Sequence, residues 1–81
     1  MKRYIKSSGD YDYYCVVRID RLYNDTGYFS KDGGWLNRPY NRYIKKFSKS
    51  GAYAKAKKLN AENTDDDLTY IAEKITDTVY N

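Results

Sequence analysis

Tyr11-Asp12-Tyr13-Tyr14-Cys15-Val16-Val17-Arg18-Ile19-Asp20-Arg21-Leu22 decides how the rest of this chain is read. Tyr11, Tyr13, Cys15, Val17 and Ile19 fall on one side of a two-residue period, and Asp12, Tyr14, Val16, Arg18 and Asp20 on the other. Such alternation describes a half-buried β-strand with the first set facing the core. Its β-branched and aromatic content agrees. Cys15 sits in the middle of the apolar set and reads as a small buried hydrophobe, not a nucleophile.

Working outward, Asn24, Asp25 and Gly27 make residues 23–27 a turn. Tyr28-Phe29-Ser30 resumes a strand, and Lys31-Asp32-Gly33-Gly34 is the strongest hairpin signal in the chain, with Trp35 and Leu36 opening the returning strand. Pro39 lacks an N–H and restricts Arg38, so the run ends there. Tyr40 to Phe47 admits either a helical turn or an irregular crossing that finishes in a short extended piece. Ser50 is the expected N-cap of a helix over 51–62, with Ala52, Ala56 and Leu59 inward and Lys55, Lys57 and Lys58 on the opposite arc. Small alanines let such a helix approach a sheet closely. Residues 68–80 divide the argument. Leu68, Ile71, Ala72, Ile75 and Val79 make a helical stripe, whereas Thr69, Tyr70, Ile71, Ile75, Thr76, Thr78, Val79 and Tyr80 are mostly strand formers.

Eighty-one residues hold one domain with one modest core. One cysteine and no histidine exclude an internal disulfide and an ordinary zinc set, so no metal or cofactor is expected and a reducing cytosol suits the chain. Lys2, Arg3 and Lys6 are not followed by an apolar run, and apolar stretches are too short to span a bilayer, so neither a secretory signal nor a membrane segment is expected. Eleven tyrosines against two phenylalanines suit a thin core, an interface or a stacking surface alike. Catalysis is not expected. The chain lacks the usual acid–base group near neutral pH and any Cys/His or Ser/His/Asp set. Asp65-Asp66-Asp67 lacks the spaced ligands and closing Glu of a calcium loop, and reads as a solvated cap.

Charge is segregated. From Gly33 to Asn60 there are eight basic residues and no carboxylate, while residues 61–81 carry six acids against Lys74. A carboxylate-free basic stretch suits a polyanion or an acidic protein surface, and equally an ordinary solvated face. Tyr40, Tyr43, Phe47 and Tyr53 are interleaved with these charges, and rings beside cations can stack on unpaired bases. Two sets of contact residues follow. Arg38, Tyr40, Arg42, Tyr43, Lys45 and Lys46 would meet a protein partner; Lys49, Tyr53, Lys55, Lys57 and Lys58 would meet single-stranded nucleic acid.

The aromatic strand, the Lys31-Asp32-Gly33-Gly34-Trp35 turn and the Phe47-Ser48 step into an Ala- and Lys-rich helix together resemble small uncharacterised proteins of Firmicute phages and prophages. The likeness touches roughly residues 12–75 and departs around Arg38-Pro39-Tyr40. It implies that 69–80 returns as a strand, and on that basis a strand is expected there. It also implies a non-catalytic protein in the host cytoplasm that binds and inhibits or modulates a host protein with an acidic surface, such as a nucleic-acid-handling defence factor. Direct binding of single-stranded nucleic acid is the alternative, and a self-assembling homodimer with a buried tyrosine face is a third. The expected fold is α+β: a three- or four-stranded antiparallel sheet with one helix packed on one face. Its expected core is Tyr13, Cys15, Val17, Ile19, Phe29, Trp35, Ala52, Ala56, Leu59 and Ile71.

Overall fold

The computed structural model describes residues 13–40 and 42–74. In chain order they form β1 (Tyr14–Asp20), β2 (Asp25–Phe29), β3 (Trp35–Leu36), α1 (Lys49–Glu62) and β4 (Leu68–Lys74). The four strands make one antiparallel sheet in the order β3-β2-β1-β4, with α1 packed on it, so the fold is α+β as expected.

β1 is central and lies between β2 and β4. Val17 pairs with Tyr28 on one side and Ile71 on the other; Val16 pairs with Ala72. Adjacent side chains on a strand point to opposite faces, yet Val16 is 0 % exposed and Val17 2 %. Both faces of the sheet are therefore covered. On one, Val16 meets Ala52 and Ala56 of the helix, flanked by Tyr14, Phe29, Trp35, Phe47, Leu59, Tyr70 and Ala72. On the other, Cys15 and Val17 meet Ile44, flanked by Tyr13, Ile19, Tyr28 and Leu36.

This corrects the expected single core. Phe29, Trp35, Ala52, Ala56 and Leu59 belong to the helix side, and Tyr13, Cys15, Val17 and Ile19 to the other; Ile71 is 36 % exposed at the sheet edge. The alternation in β1 was a sound guide to a strand but not to which face the helix would cover. That face is the one carrying Tyr14, Val16 and Arg18.

Several boundaries also move. The first turn occupies residues 21–24, with Asn24 at φ 52° and the Asp20 carboxylate accepting from the N–H groups of Leu22 (3.0 Å) and Tyr23 (3.3 Å). Asp25 to Gly27 is strand and not turn. Gly27 is needed for room: a Cβ there would lie 3.3 Å from the Trp35 Cβ and 3.5 Å from the Arg18 Nε and Nη2. The Arg18 guanidinium carbon sits 5.1 Å from the Trp35 ring centroid, while its buried Nε has no hydrogen-bond partner.

The hairpin expected at 31–34 forms. Ser30 N–H donates to the Gly34 carbonyl (2.9 Å), and Gly33 takes φ +91°, which favours glycine. The Ser30 hydroxyl donates to the Asp32 carboxylate, which also accepts from the Gly34 N–H (3.0 Å). Those two donors hold the Asp32 carboxyl below the ordinary carboxylate range.

α1 starts two residues earlier than expected. Ser48, not Ser50, is the N-cap, its hydroxyl accepting from the Gly51 N–H at 3.1 Å. At the far end Asn63 turns the chain: its amide donates to the carbonyls of Asp65 (2.8 Å) and Leu68 (3.0 Å). The segment from 68 is a strand as far as Lys74, so the helical stripe does not operate there; residues 75–80 of that expectation lie outside the described residues. Strand register explains the choice. It places Leu68, Tyr70 and Ala72 on the helix side and pairs all of 68–74 with β1. Asn60 then ties the helix to the outer edge of β4, donating to the Tyr70 carbonyl (2.7 Å) and accepting from the Tyr70 N–H (2.9 Å).

Two tests follow. Ile44→Ala should cost about 2–5 kcal/mol in urea denaturation, the range for truncating a large buried aliphatic; a loss under about 0.5 kcal/mol, typical of a surface site, would remove Ile44 from the core. Burial, reinforced by the negative charge of Glu73, pushes the Cys15 thiol from its ordinary 9.0 up to about 12. The fold thus holds the protonated thiol more strongly than the unfolded chain does. That stabilisation is complete below about pH 9 and is lost as pH rises toward about 12. Iodoacetamide at pH 8 should leave native Cys15 unlabelled and label it in urea. Labelling of native and unfolded protein at equal rates would contradict this burial.

Candidate functional site

The segment after β3 resolves the ambiguity at Tyr40–Phe47 as a turn followed by a short extended piece. Tyr43 and Ile44 N–H groups donate to the Tyr40 carbonyl (3.1 and 2.8 Å), turning the chain back after Pro39. That turn points Ile44 into the sheet, where it is 1 % exposed, and leaves Tyr43 54 % exposed. The chain then extends and bridges two strands. Ile44 is paired with Ser30 through Lys31 N–H to the Tyr43 carbonyl (2.9 Å) and Lys45 N–H to the Phe29 carbonyl (2.9 Å). Phe47 is paired with Tyr14 by reciprocal bonds of 2.7 and 2.8 Å. Regular pairing of β1 with β2 stops at Val17↔Tyr28, and beyond it this segment takes the backbone groups the strands would otherwise share.

The six residues expected to meet a protein partner lie along this segment, with Lys45 toward Phe47 on the helix side of the sheet and Lys46 toward Tyr13 on the other. Arg38, Arg42, Tyr43 and Lys45 are exposed, Tyr40 and Lys46 half-buried. The Tyr40 and Tyr43 rings meet edge to face at 6.5 Å. Lys45 places its ammonium 5.9 Å from the Phe47 ring centroid and Lys46 5.5 Å from that of Tyr13. Such contacts contribute about 0.5–1 kcal/mol each at exposed sites and hold long side chains in place without removing their charge.

The second set lies on α1, across the sheet. Lys49, Tyr53, Lys57 and Lys58 are exposed, but Lys55 is half-buried with its ammonium 5.1 Å from the Phe29 centroid. The basic run is continuous in sequence and divided between two faces in space. The sets approach each other at one place, where Lys45 on Phe47 and Lys55 on Phe29 flank a ring pair 6.1 Å apart.

The acidic turn does not cover the basic segment. Asp65 to Asp67 sit at the exit of β1, where Arg21 N–H donates to the Asp67 carbonyl (2.8 Å) and the Arg21 guanidinium donates to the Asp66 carbonyl and the Thr69 hydroxyl. Phe47 is paired at the other end of β1, roughly 20 Å away at the usual strand rise. Asp65 caps its own turn, accepting from the Asp67 N–H at 2.9 Å. Among the described residues no group of three or more Cys, Asp or Glu side chains is placed to hold a metal ion, and no helix is long and apolar enough to cross a membrane.

Sequence reasoning missed Ile44, the anchor of the first set. Its signal was an aliphatic residue in a basic run, with one apolar neighbour on either side too few to define a period. Asn60 and Tyr70, which form the wall of a groove beside α1, were likewise passed over. No family model, curated protein or solved structure matches this chain.

Proposed function

We propose that this chain is a non-catalytic binding domain that docks on an acidic surface of another protein through residues 38–46. The supporting observation is the seating of that segment: Ile44 is buried, the backbone is bridged to β1 and β2, and Tyr43 stays more than half exposed. An irregular segment held this way has already lost the freedom that binding would otherwise remove, so contacts made by its tips count more fully toward affinity. Tyr and Arg are the side chains most often found at energetic centres of interfaces, and Tyr43 stands here beside Arg42, with Lys45 two residues on. The positive charge favours an acidic partner and accelerates encounter.

The likeness to small phage proteins supports a host protein as that partner, and we take it to be a nucleic-acid-handling defence factor met on an acidic surface outside its nucleic-acid site. Inhibition by occlusion needs a surface and no active site, and it is the reading we adopt. A cysteine nucleophile fits poorly, since the one thiol is buried and pushed up to about 12.

The test is capture of a stoichiometric partner by tagged protein from a Firmicute lysate, with and without nuclease, followed by titration of the purified pair. Tyr43→Ala and Arg42→Glu should each weaken binding about five- to thirtyfold, the range of 1–2 kcal/mol, with melting temperatures unchanged. Wild-type affinity in both variants, or loss of all captured material on nuclease treatment, would overturn the reading.

A further inference from the structure

A groove of about 590 Å³ runs between α1 and β4, on the face of the sheet opposite Ile44. Tyr53, Ala56, Lys57, Asn60, Tyr70 and Ala72 line it, together with the edge residue Ile71. Its size is that of a small-ligand site. Ala56 and Ala72 add little side chain to the lining; Tyr53 is 53 % exposed with its ring 6.2 Å from that of Tyr14, while the Tyr70 ring is packed 5.6 Å from that of Trp35. The exposed Tyr53 ring therefore offers a face on which a flat ring can stack.

The rim is cationic. Lys57 lines the groove, and no Asp or Glu does. Lys49, Tyr53 and Lys57 are spaced four residues apart, so they stand on one flank of the helix with the two ammonium-bearing positions about 12 Å apart along the axis. The order along that flank is cation, ring, cation.

An added β-strand is the other occupant an edge like β4 could take. Asn60 argues against it. Its side-chain amide already supplies both bonds, at 2.7 and 2.9 Å, that a neighbouring strand would make to the outward backbone of Tyr70. The edge is plugged at Tyr70. What remains is a groove with the exposed Tyr53 ring and the Lys57 ammonium on its helix flank.

We propose that this groove takes one nucleotide of a single-stranded nucleic acid, its base against the exposed Tyr53 ring and its flanking phosphates toward Lys57, which lines the groove, and Lys49, two turns earlier on the same flank of the helix. Base–aromatic stacking is tolerant of sequence and phosphate contacts are salt-dependent, so the site holds a strand without reading it. This goes beyond the protein-docking role and rests on different residues.

Fluorescence anisotropy of a labelled twelve-nucleotide oligo-dT, titrated with the full chain at several salt concentrations, tests it. Wild-type protein and Tyr53→Phe should bind equally, because the ring and not the hydroxyl is used. Tyr53→Ala should bind at least fivefold more weakly. Lys57→Gln should weaken binding and reduce the slope of log K against log salt by about 0.7, the loss of one phosphate contact on a single strand. Arg42→Glu with Tyr43→Ala should leave oligo-dT binding within twofold, which separates this site from the docking segment. Circular dichroism of each variant confirms that it is folded. No binding by the wild type, an unchanged Tyr53→Ala, or displacement of oligo-dT by an equal concentration of an alternating Glu-Tyr peptide would overturn the proposal, the last in favour of an acidic peptide ligand.

Discussion

The structure depends on β1 being buried on both faces at once. Val16 and Val17 are neighbours in sequence, point in opposite directions and are both nearly inaccessible to water. A sheet of four short strands offers no second sheet to meet such a demand, so the chain must supply two different covers. The helix is one, brought close by Ala52 and Ala56, which put almost no side chain between backbone and Val16. On the other face, among the described residues, Ile44 from an irregular loop sits over Cys15 and Val17, with Tyr13, Ile19, Tyr28 and Leu36 around it. Burying Ile44 there ties its loop into the core.

That arrangement links stability to the surface available for recognition. The loop that seals the Cys15–Val17 face is also the most basic and aromatic irregular segment, and its backbone is stitched to Phe29, Lys31 and Tyr14. Tyr43 and Arg42 are therefore presented by a scaffold element and not by a free loop. On the other face the helix lysines divide by flank. Lys55 lies on Phe29 toward β2, and Lys57 faces the groove at β4. Charge that looks like one patch in sequence becomes two surfaces with different neighbours. The acidic turn at 65–67 is held by Arg21 at the far end of β1, away from the first surface.

Much of this was legible beforehand and some was not, for identifiable reasons. Local chemistry gave the hairpin at Asp32-Gly33-Gly34, because a glycine at positive φ and a carboxylate capping its own turn act within a few residues. The alanine spacing gave the inner face of α1. The face of β1 that the helix covers was not legible. Tyr14, Val16 and Arg18 look like the polar side, but the Arg18 guanidinium sits against the Trp35 ring beside the space left by Gly27, so the side chain serves as packing surface. Gly27 accordingly read as a turn residue when its role is to make room. The six contact residues chosen from the basic segment lie before and after Ile44, which anchors their loop in the core and carries no periodic signal. Helical and strand patterns competed over 68–74, and pairing along the whole of β1 decided for the strand there.

Amide hydrogen exchange reads out whether residues 43–47 belong to the sheet's hydrogen-bonded frame. The amides of Lys31, Lys45, Phe47 and Tyr14, whose bonds run between that segment and the strands, should be protected to the same degree as the central amides of β1. Exchange of Lys45 and Phe47 at the rate of an open loop, with β1 still protected, would show that the segment is not anchored. The docking surface built on it would then lose its physical basis.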